Sequence, residues 1–256
     1  MNRPAYTIGT LVTDPAMYAE MRRSFEVRGF ADDCEYLIVD NSVRNTMDAY
    51  DGLNDLLVRA RGRYVILCHQ DVFLVDDGRP ELDRVIADLT ERDPHWAVAG
   101  NAGCSAYRVQ HTCITDRYDT VFRSPGLPKQ VHSLDENFLV VRPETRVGFS
   151  RDVGGFHLYA TDICIVADIL GFTSYVIPFH LRHIGQGATG AAFAVSREAF
   201  IRKWSFALRD RPIQTPSTHA YLSGSRSSVR NAIVYKWLRF VATLRRSVAK
   251  AGTRFR

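Results

Sequence analysis

Short apolar runs and longer stretches of helical periodicity take turns along the first hundred or so residues. Tyr6 to Val12 is an apolar run and predicts a strand. Asp14-Pro15 then opens a helix to about Arg28, with proline in the first turn and Gly29 as its stop. Tyr36 to Val39 predicts a second strand, which runs out into Asp40-Asn41-Ser42. From Thr46 to Arg61, Leu53, Leu56, Leu57 and Ala60 share one helical face, and Gly62 ends the helix. Tyr64 to Cys68 predicts a third strand, Glu81 to Arg92 a helix, and Trp96 to Gly100 a further strand. This alternation predicts right-handed βαβ units around a mostly parallel sheet, an α/β domain.

After Gly100 the rhythm changes. Gln130 to Leu134 and Phe138 to Val141 predict two strands flanking the short connection Asp135-Glu136-Asn137. Thr161 can cap a helix from Asp162 to Leu170, ended by Gly171. Ser174 to Ile177 predicts a strand, and the polar segment His180 to Gly190 follows it. Ala191 to Arg209 reads as helix, Pro212 to Ser228 as a loop rich in Ser, Thr and Pro, and Ala232 to Ala249 as a basic amphipathic helix. The expected organisation is one α/β domain over residues 1–210, a mobile loop over 211–230 and a C-terminal helical extension over 231–256.

Composition bounds this picture. A chain of 256 residues that is 46% hydrophobic and 24% charged has room for one large core and is ordinary for a globular domain. The formal charge of +5 gathers towards the end, where Arg239, Arg245, Arg246, Lys250, Arg254 and Arg256 crowd together. That asymmetry suits an anionic membrane surface, with Trp237 and Phe240 as anchors. It does not suit nucleic acid, because the basic excess is terminal and not striped with aromatics across a sheet. The five cysteines, Cys34, Cys68, Cys104, Cys113 and Cys164, have no CxxC spacing and an odd count. They read as reduced core thiols of a cytoplasmic protein. No apolar leader opens the chain, and no run is long enough to span a bilayer.

The chemistry collects where strands end. In a doubly wound sheet the carboxyl ends of successive strands meet along one edge, where ligands bind. Asp40 and the His69-Gln70-Asp71 triplet follow the second and third strands and would face one crevice. A carboxylate beside an imidazole there can hold a divalent cation against a diphosphate; oxygen and imidazole ligands suit Mn²⁺ or Mg²⁺.

Several segments, in order, resemble the GT-A glycosyltransferases of the large inverting family 2, particularly its small bacterial single-domain branch. Tyr36 to Ser42 resembles the second strand with its base-contacting aspartate. Asn54, Ala60, Gly62 and Tyr64 to Leu67 resemble the helix and strand that lead into the metal motif, and His69-Gln70-Asp71 takes the place of Asp-x-Asp. Leu134 to Val141 resembles an acceptor-side hairpin, Gly155 to Tyr159 with Asp162 the segment of the catalytic base, and His183-Ile184-Gly185 the late metal-binding histidine. The resemblance covers roughly residues 6–190. It implies a metal-dependent, inverting hexosyltransferase of polysaccharide biosynthesis. Such an enzyme moves sugar from a nucleotide-sugar donor to a carbohydrate or lipid-linked acceptor at the cytoplasmic membrane face.

Roles follow residue by residue. Asp71 and His183 would hold Mn²⁺ or Mg²⁺. Asp40, Asn41, Asn54, His69 and Asp71 would meet the donor, and Asp135 and His157 the acceptor. Asp162 would be the general base. His69 departs from the usual first aspartate, and Thr161 from the usual acid before the base. Blander readings stand beside these: Asp40 and Asp71 as strand-end turn residues, Asp162 as a first-turn helix acid, His183 as a surface histidine. Two other functions compete. One is a non-catalytic nucleotide- or sugar-binding protein or scaffold derived from a transferase. The other is a nucleotidyltransferase, against which Thr10 to Asp14 lacks a Gly-rich basic loop.

Overall fold

The computed structural model describes residues 3–106, 109–185, 187, 190–214, 219–224, 233, 236, 237 and 240. Two compact units divide the chain, residues 1–200 and 201–256. The first is a mixed α/β unit with a large central sheet flanked by helices, the class the sequence predicts.

The opening alternation holds. Strand β1 is Tyr6–Val12, helix α1 Pro15–Phe25, β2 Cys34–Asp40, α2 Ala49–Arg59, and β3 Tyr64–Cys68. The short β4, Val72–Phe73, is followed by α3, Arg79–Arg92, and β5, Trp96–Gly100. Asp14 caps α1, its carboxylate accepting from the Ala16 and Met17 amides. Asp48 does the same for α2 through the Asp51 amide, so that helix begins later than the predicted Thr46.

A meander follows: β6 Ala102–Ala106, β7 Val109–Thr115, β8 Val121–Arg123, β9 Lys129–Val131, β10 Ser133–Leu134 and β11 Phe138–Val141. Helix α4, Tyr159–Ile169, then leads to β12, Thr173–Val176, and β13, Leu181–His183.

The central sheet has the order β2-β1-β3-β11-β5-β12-β9. Strands β1, β2 and β3 are parallel, as are β5 and β12, while β11 runs antiparallel between β3 and β5. This corrects the expected hairpin: β11 does not pair with the segment 130–134. Instead β9 pairs with β12 and β10 with β6. The reason is in the residues. Phe138-Leu139-Val140-Val141 is apolar at every position and fully buried, which fits the middle of a sheet and not an alternating hairpin arm.

Alternate strand residues feed two cores. Val65, Leu67, Leu139 and Val141 pack against α2 and α4 on one face. Ile66, Cys68, Phe138 and Val140 pack against α1 and α3 on the other. A second sheet, β10-β6-β7-β13-β4, lies beyond the carboxyl end of β3, and its β4–β13 pairing shapes the site. None of the five cysteines is in a disulfide.

The second unit holds the end of α5, Ala191–Ala207, and an antiparallel pair, β14 Arg211–Gln214 with β15 His219–Leu222. Two strands therefore stand where a loop was expected. Most of the predicted basic helix, 231–256, lies outside the described residues. Among the described residues no helix is long and apolar enough to cross a membrane.

Candidate functional site

Strand β3 ends at Cys68, and the chain turns at once: the Val72 amide donates back to the His69 carbonyl. The turn is held on two sides. The His69 amide donates to the Asn137 carbonyl beside β11. Gln70 points the other way, its Oε1 accepting from the Thr13 and Asp14 amides and its Nε2 donating to Thr13 Oγ1. The middle residue of the triplet is thus a clamp on the β1–α1 loop. His69, Gln70 and Asp71 all line the cavity.

His183 arrives by strand pairing. Antiparallel β4 and β13 set His183 opposite Val72, one residue from Asp71, and the Ile184 amide donates to the Asp71 carbonyl. His183 Nε2 lies 3.4 Å and His69 Nδ1 3.8 Å from Asp71 Oδ1, and the two imidazole centroids are 5.6 Å apart. One donor atom from each of the three residues falls within 4.8 Å of the others.

The electrostatics match a cation site. Burial works to raise the Asp71 carboxyl, but the imidazoles, His183 foremost, more than offset it and hold the group below its usual value. Asp71 Oδ1 is buried with no hydrogen-bond partner at good geometry. Burial lowers the His69 imidazole and favours its neutral, ligand-competent form. The space between these groups depends on Gly185. A Cβ there would stand 2.4 Å from Asp71 Oδ2 and 2.7 Å from His183 Nε2. An unpaired buried carboxylate oxygen, two imidazole nitrogens and a side-chain-free wall fit a divalent ion.

Tyr159 orients His69. Burial drives its phenol far above the usual value, so it keeps its proton and donates to the Glu136 carbonyl at 3.2 Å. The phenol oxygen then accepts from His69 Nε2 at 2.6 Å, which assigns the proton to Nε2 and leaves the Nδ1 lone pair towards Asp71.

His69, Asp71 and Tyr159 border a cavity of about 250 Å³ lined also by Leu11, Leu53, Leu67, Asn41, Glu136 and Phe156. Its apolar wall suits a planar or sugar ring. The loop that carries Phe156 is pinned to α2: the Gly155 amide donates to Asp48 Oδ2 at 2.7 Å, and the Ala49 amide to the Gly155 carbonyl.

The other expected site residues scatter. Asn41 lines the cavity, but its Oδ1 accepts from Thr46 and its Nδ2 donates to the Met47 carbonyl, so it shapes the wall. Asp40 is exposed at the end of β2, its Oδ1 taking the Ser42 hydroxyl and amide, which keep its carboxyl low. Asn54 spends its amide on both backbone groups of Phe149 and does not line the cavity. Asp135 is exposed, closes its own turn onto Asn137 and lines a neighbouring groove with Cys104 and Ser133. The His157 ring packs 5.5 Å from Phe193.

Asp162 is displaced most from its expected place. It is fully buried, and its two oxygens accept from the Ser150 amide and hydroxyl at 2.7 Å each. Thr161 is not a cap either. Helix α4 starts at Tyr159 after Leu158, which sits at φ 65°. Sequence reasoning missed Glu136, Tyr159 and Gln70. The only sequence signal for Glu136 is a second acid in a short connection between apolar runs.

No family model matches the sequence. A protein of Fuscovulum blasticum named ATP synthase subunits region ORF 6 is 38% identical over 206 residues, which span 78% of this chain and 83% of that protein. The chain belongs to that protein's family. Among solved structures, residues 1–349 of S. aureus TarS in complex with UDP-GlcNAc align with a TM-score of 0.47 at 9% identity, over 74% of this chain and 60% of that one. The chain thus spans about three fifths of that TarS fragment. A197 from STIV aligns with a TM-score of 0.38 at 13% identity, over 72% of this chain and 96% of that one.

Proposed function

We propose that this member of the family transfers a sugar from a nucleotide-sugar donor to a hydroxyl of a carbohydrate or lipid-linked acceptor, by single displacement with inversion. The observation that carries this reading is the Asp71–His183 juxtaposition at the carboxyl end of β3, with Gly185 leaving room between them. His69, Asp71 and His183 would hold Mn²⁺ or Mg²⁺. Such an ion supplies the positive charge that a departing nucleoside diphosphate requires.

The chain's own groups do the rest. Leu11, Leu53 and Phe156 offer apolar surface to the rings of the donor and exclude water from them. Asp40, ionised and exposed at the end of β2, would accept from a base or ribose. Tyr159 fixes the His69 ring. Asp135, which lines a groove with Cys104 and Ser133, would meet an acceptor hydroxyl. Contact of the basic segment 231–256 with an anionic membrane surface belongs to the same reading.

A nucleotidyltransferase fits less well. Its phosphates need free amides after the first strand, and here Asp14 and Gln70 occupy the amides of Thr13, Asp14, Ala16 and Met17. A thermal-shift panel of uridine, guanosine and thymidine diphosphates, with and without Mn²⁺, tests the proposal. A rise for one base only when Mn²⁺ is present supports it. No rise with any nucleotide refutes it, and binding without turnover of any donor sugar favours a non-catalytic binding protein.

A further inference from the structure

An inverting transfer needs a base beside the attacking hydroxyl, and the fold has sealed Asp162 away from the cavity. Two carboxylates do line that cavity: Asp71, engaged with the imidazoles, and Glu136. Glu136 lies in the connection between β10 and β11, at the amino end of α4. The Leu158 and Tyr159 amides at the start of α4 draw its carboxyl down, and its own carbonyl accepts from the Tyr159 phenol. The residue is therefore held through its main chain, one hydroxyl away from His69. Leu158 adopts the left-handed backbone at φ 65°, an uncommon state for a branched side chain.

We propose that Glu136 is the general base of the transfer, a role that rests on reading the cavity as a sugar-transfer site. The acceptor O–H proton passes to a Glu136 carboxylate oxygen. The acceptor oxygen uses the freed electron pair to bond the anomeric carbon. The bond from that carbon to the diphosphate oxygen breaks, and its pair leaves with the nucleoside diphosphate.

The environment of the group agrees. Burial, and then the neighbouring Asp135 charge, push the Glu136 carboxyl up to about 7, while the two amides pull against them. A base poised near neutrality is strong enough to take a proton and is still substantially ionised. A glutamine at the position keeps the size and polarity of the side chain but takes no proton, so it separates a packing role from the catalytic one.

The test uses the full chain with Mn²⁺ and UDP-glucose, UDP-N-acetylglucosamine and GDP-mannose, with water as acceptor. Release of nucleoside diphosphate is compared for wild type, Glu136→Gln, Glu136→Asp and Asp162→Asn. The expected result is that Glu136→Gln loses about 100-fold or more in release at saturating donor, with Mn²⁺-dependent nucleotide binding unchanged and the melting temperature not lowered. Asp162→Asn is expected to melt earlier. Should Glu136→Gln fail to fold, Glu136→Asp carries the test, with about a tenfold loss of release at unchanged binding expected. Release by a folded Glu136 variant within about threefold of wild type overturns the assignment and leaves the transferase reading standing. A wild type that binds nucleotide but releases nothing overturns the base while keeping the nucleotide site. One that binds no nucleotide overturns both.

Discussion

His183 Nε2 stands 3.4 Å from Asp71 Oδ1 because the two-residue strand β4 pairs with β13 directly after the turn that ends β3. Residues far apart in the chain are thus joined by backbone register and not by a flexible loop. Ligand positions set by main-chain pairing are kept in the absence of the ion, which lowers the ordering cost of binding it. Replacing Asp71 by Asn, or His183 by Ala, should weaken Mn²⁺ binding about tenfold or more, judged from the smaller losses typical of outer-shell partners. Calorimetric titration with Mn²⁺ checks this, and unchanged affinity in both variants counts against the site.

Gly185 offers a sharper test because it contributes no ligand. The Cβ of Gly185→Ala would meet Asp71 Oδ2 at 2.4 Å and His183 Nε2 at 2.7 Å. The expected outcome is a loss of Mn²⁺ affinity comparable to removing a ligand, with little change in the melting temperature of the metal-free protein. An equally tight site in Gly185→Ala would show that the three side chains do not converge on an ion.

The sequence carried much of this arrangement and hid a definable part. Apolar run lengths gave β1, β3 and β5 residue for residue, because a buried strand has a continuous apolar signature, while for the edge strand β2, Cys34–Asp40, they gave only Tyr36 to Val39. Asp71 stood out because it follows an apolar run at once, whereas His183, in a polar segment, was marked by the family resemblance alone, since its pairing with β4 is long-range. The position of β11 was less legible: whether Phe138 to Val141 closes a hairpin or inserts between β3 and β5 depends on partners distant in the chain. Asp162 misled for a related reason. An acid in a helix's first turn looks the same whether it faces a cavity or, as here, ties down Ser150. Glu136 gave almost no signal, since the groups around it, Tyr159 among them, come from a distant part of the chain.

Asp162 should therefore register in stability. Asp162→Ala removes the acceptors of the buried Ser150 amide and hydroxyl and should cost on the order of 2–4 kcal/mol. Urea denaturation measures it. A variant as stable as wild type would mean that the Ser150 contacts are incidental.

Tyr159→Phe keeps the ring packing against Tyr50 and Phe149 and removes only the hydroxyl. His69 Nε2 then loses its acceptor and the Glu136 carbonyl its donor. The expected outcome is a destabilisation of about 1 kcal/mol together with a drop in Mn²⁺ affinity of about tenfold. Loss of stability without loss of metal affinity would reduce Tyr159 to a packing residue.

The pH dependence of stability has a definite sign at Glu136. A carboxyl raised to about 7 in the folded chain binds more protons folded than unfolded between its ordinary value and that one. Its contribution to stability is therefore favourable to the protonated form and is lost as pH rises towards 7. Glu136→Gln should leave stability nearly unchanged near pH 4 and increase it near pH 8, by on the order of 1–3 kcal/mol, with a higher melting temperature there. A variant less stable than wild type at the higher pH would contradict the buried, raised carboxyl.

The most direct measurement is electron spin echo spectroscopy of Mn²⁺ bound to the full chain, alone and with each nucleoside diphosphate. The account predicts ¹⁴N modulation from imidazole that weakens in His183→Gln and again when His69 is also replaced. Bound Mn²⁺ without imidazole nitrogen coupling, or coupling indifferent to both substitutions, would contradict a cation site at the end of β3.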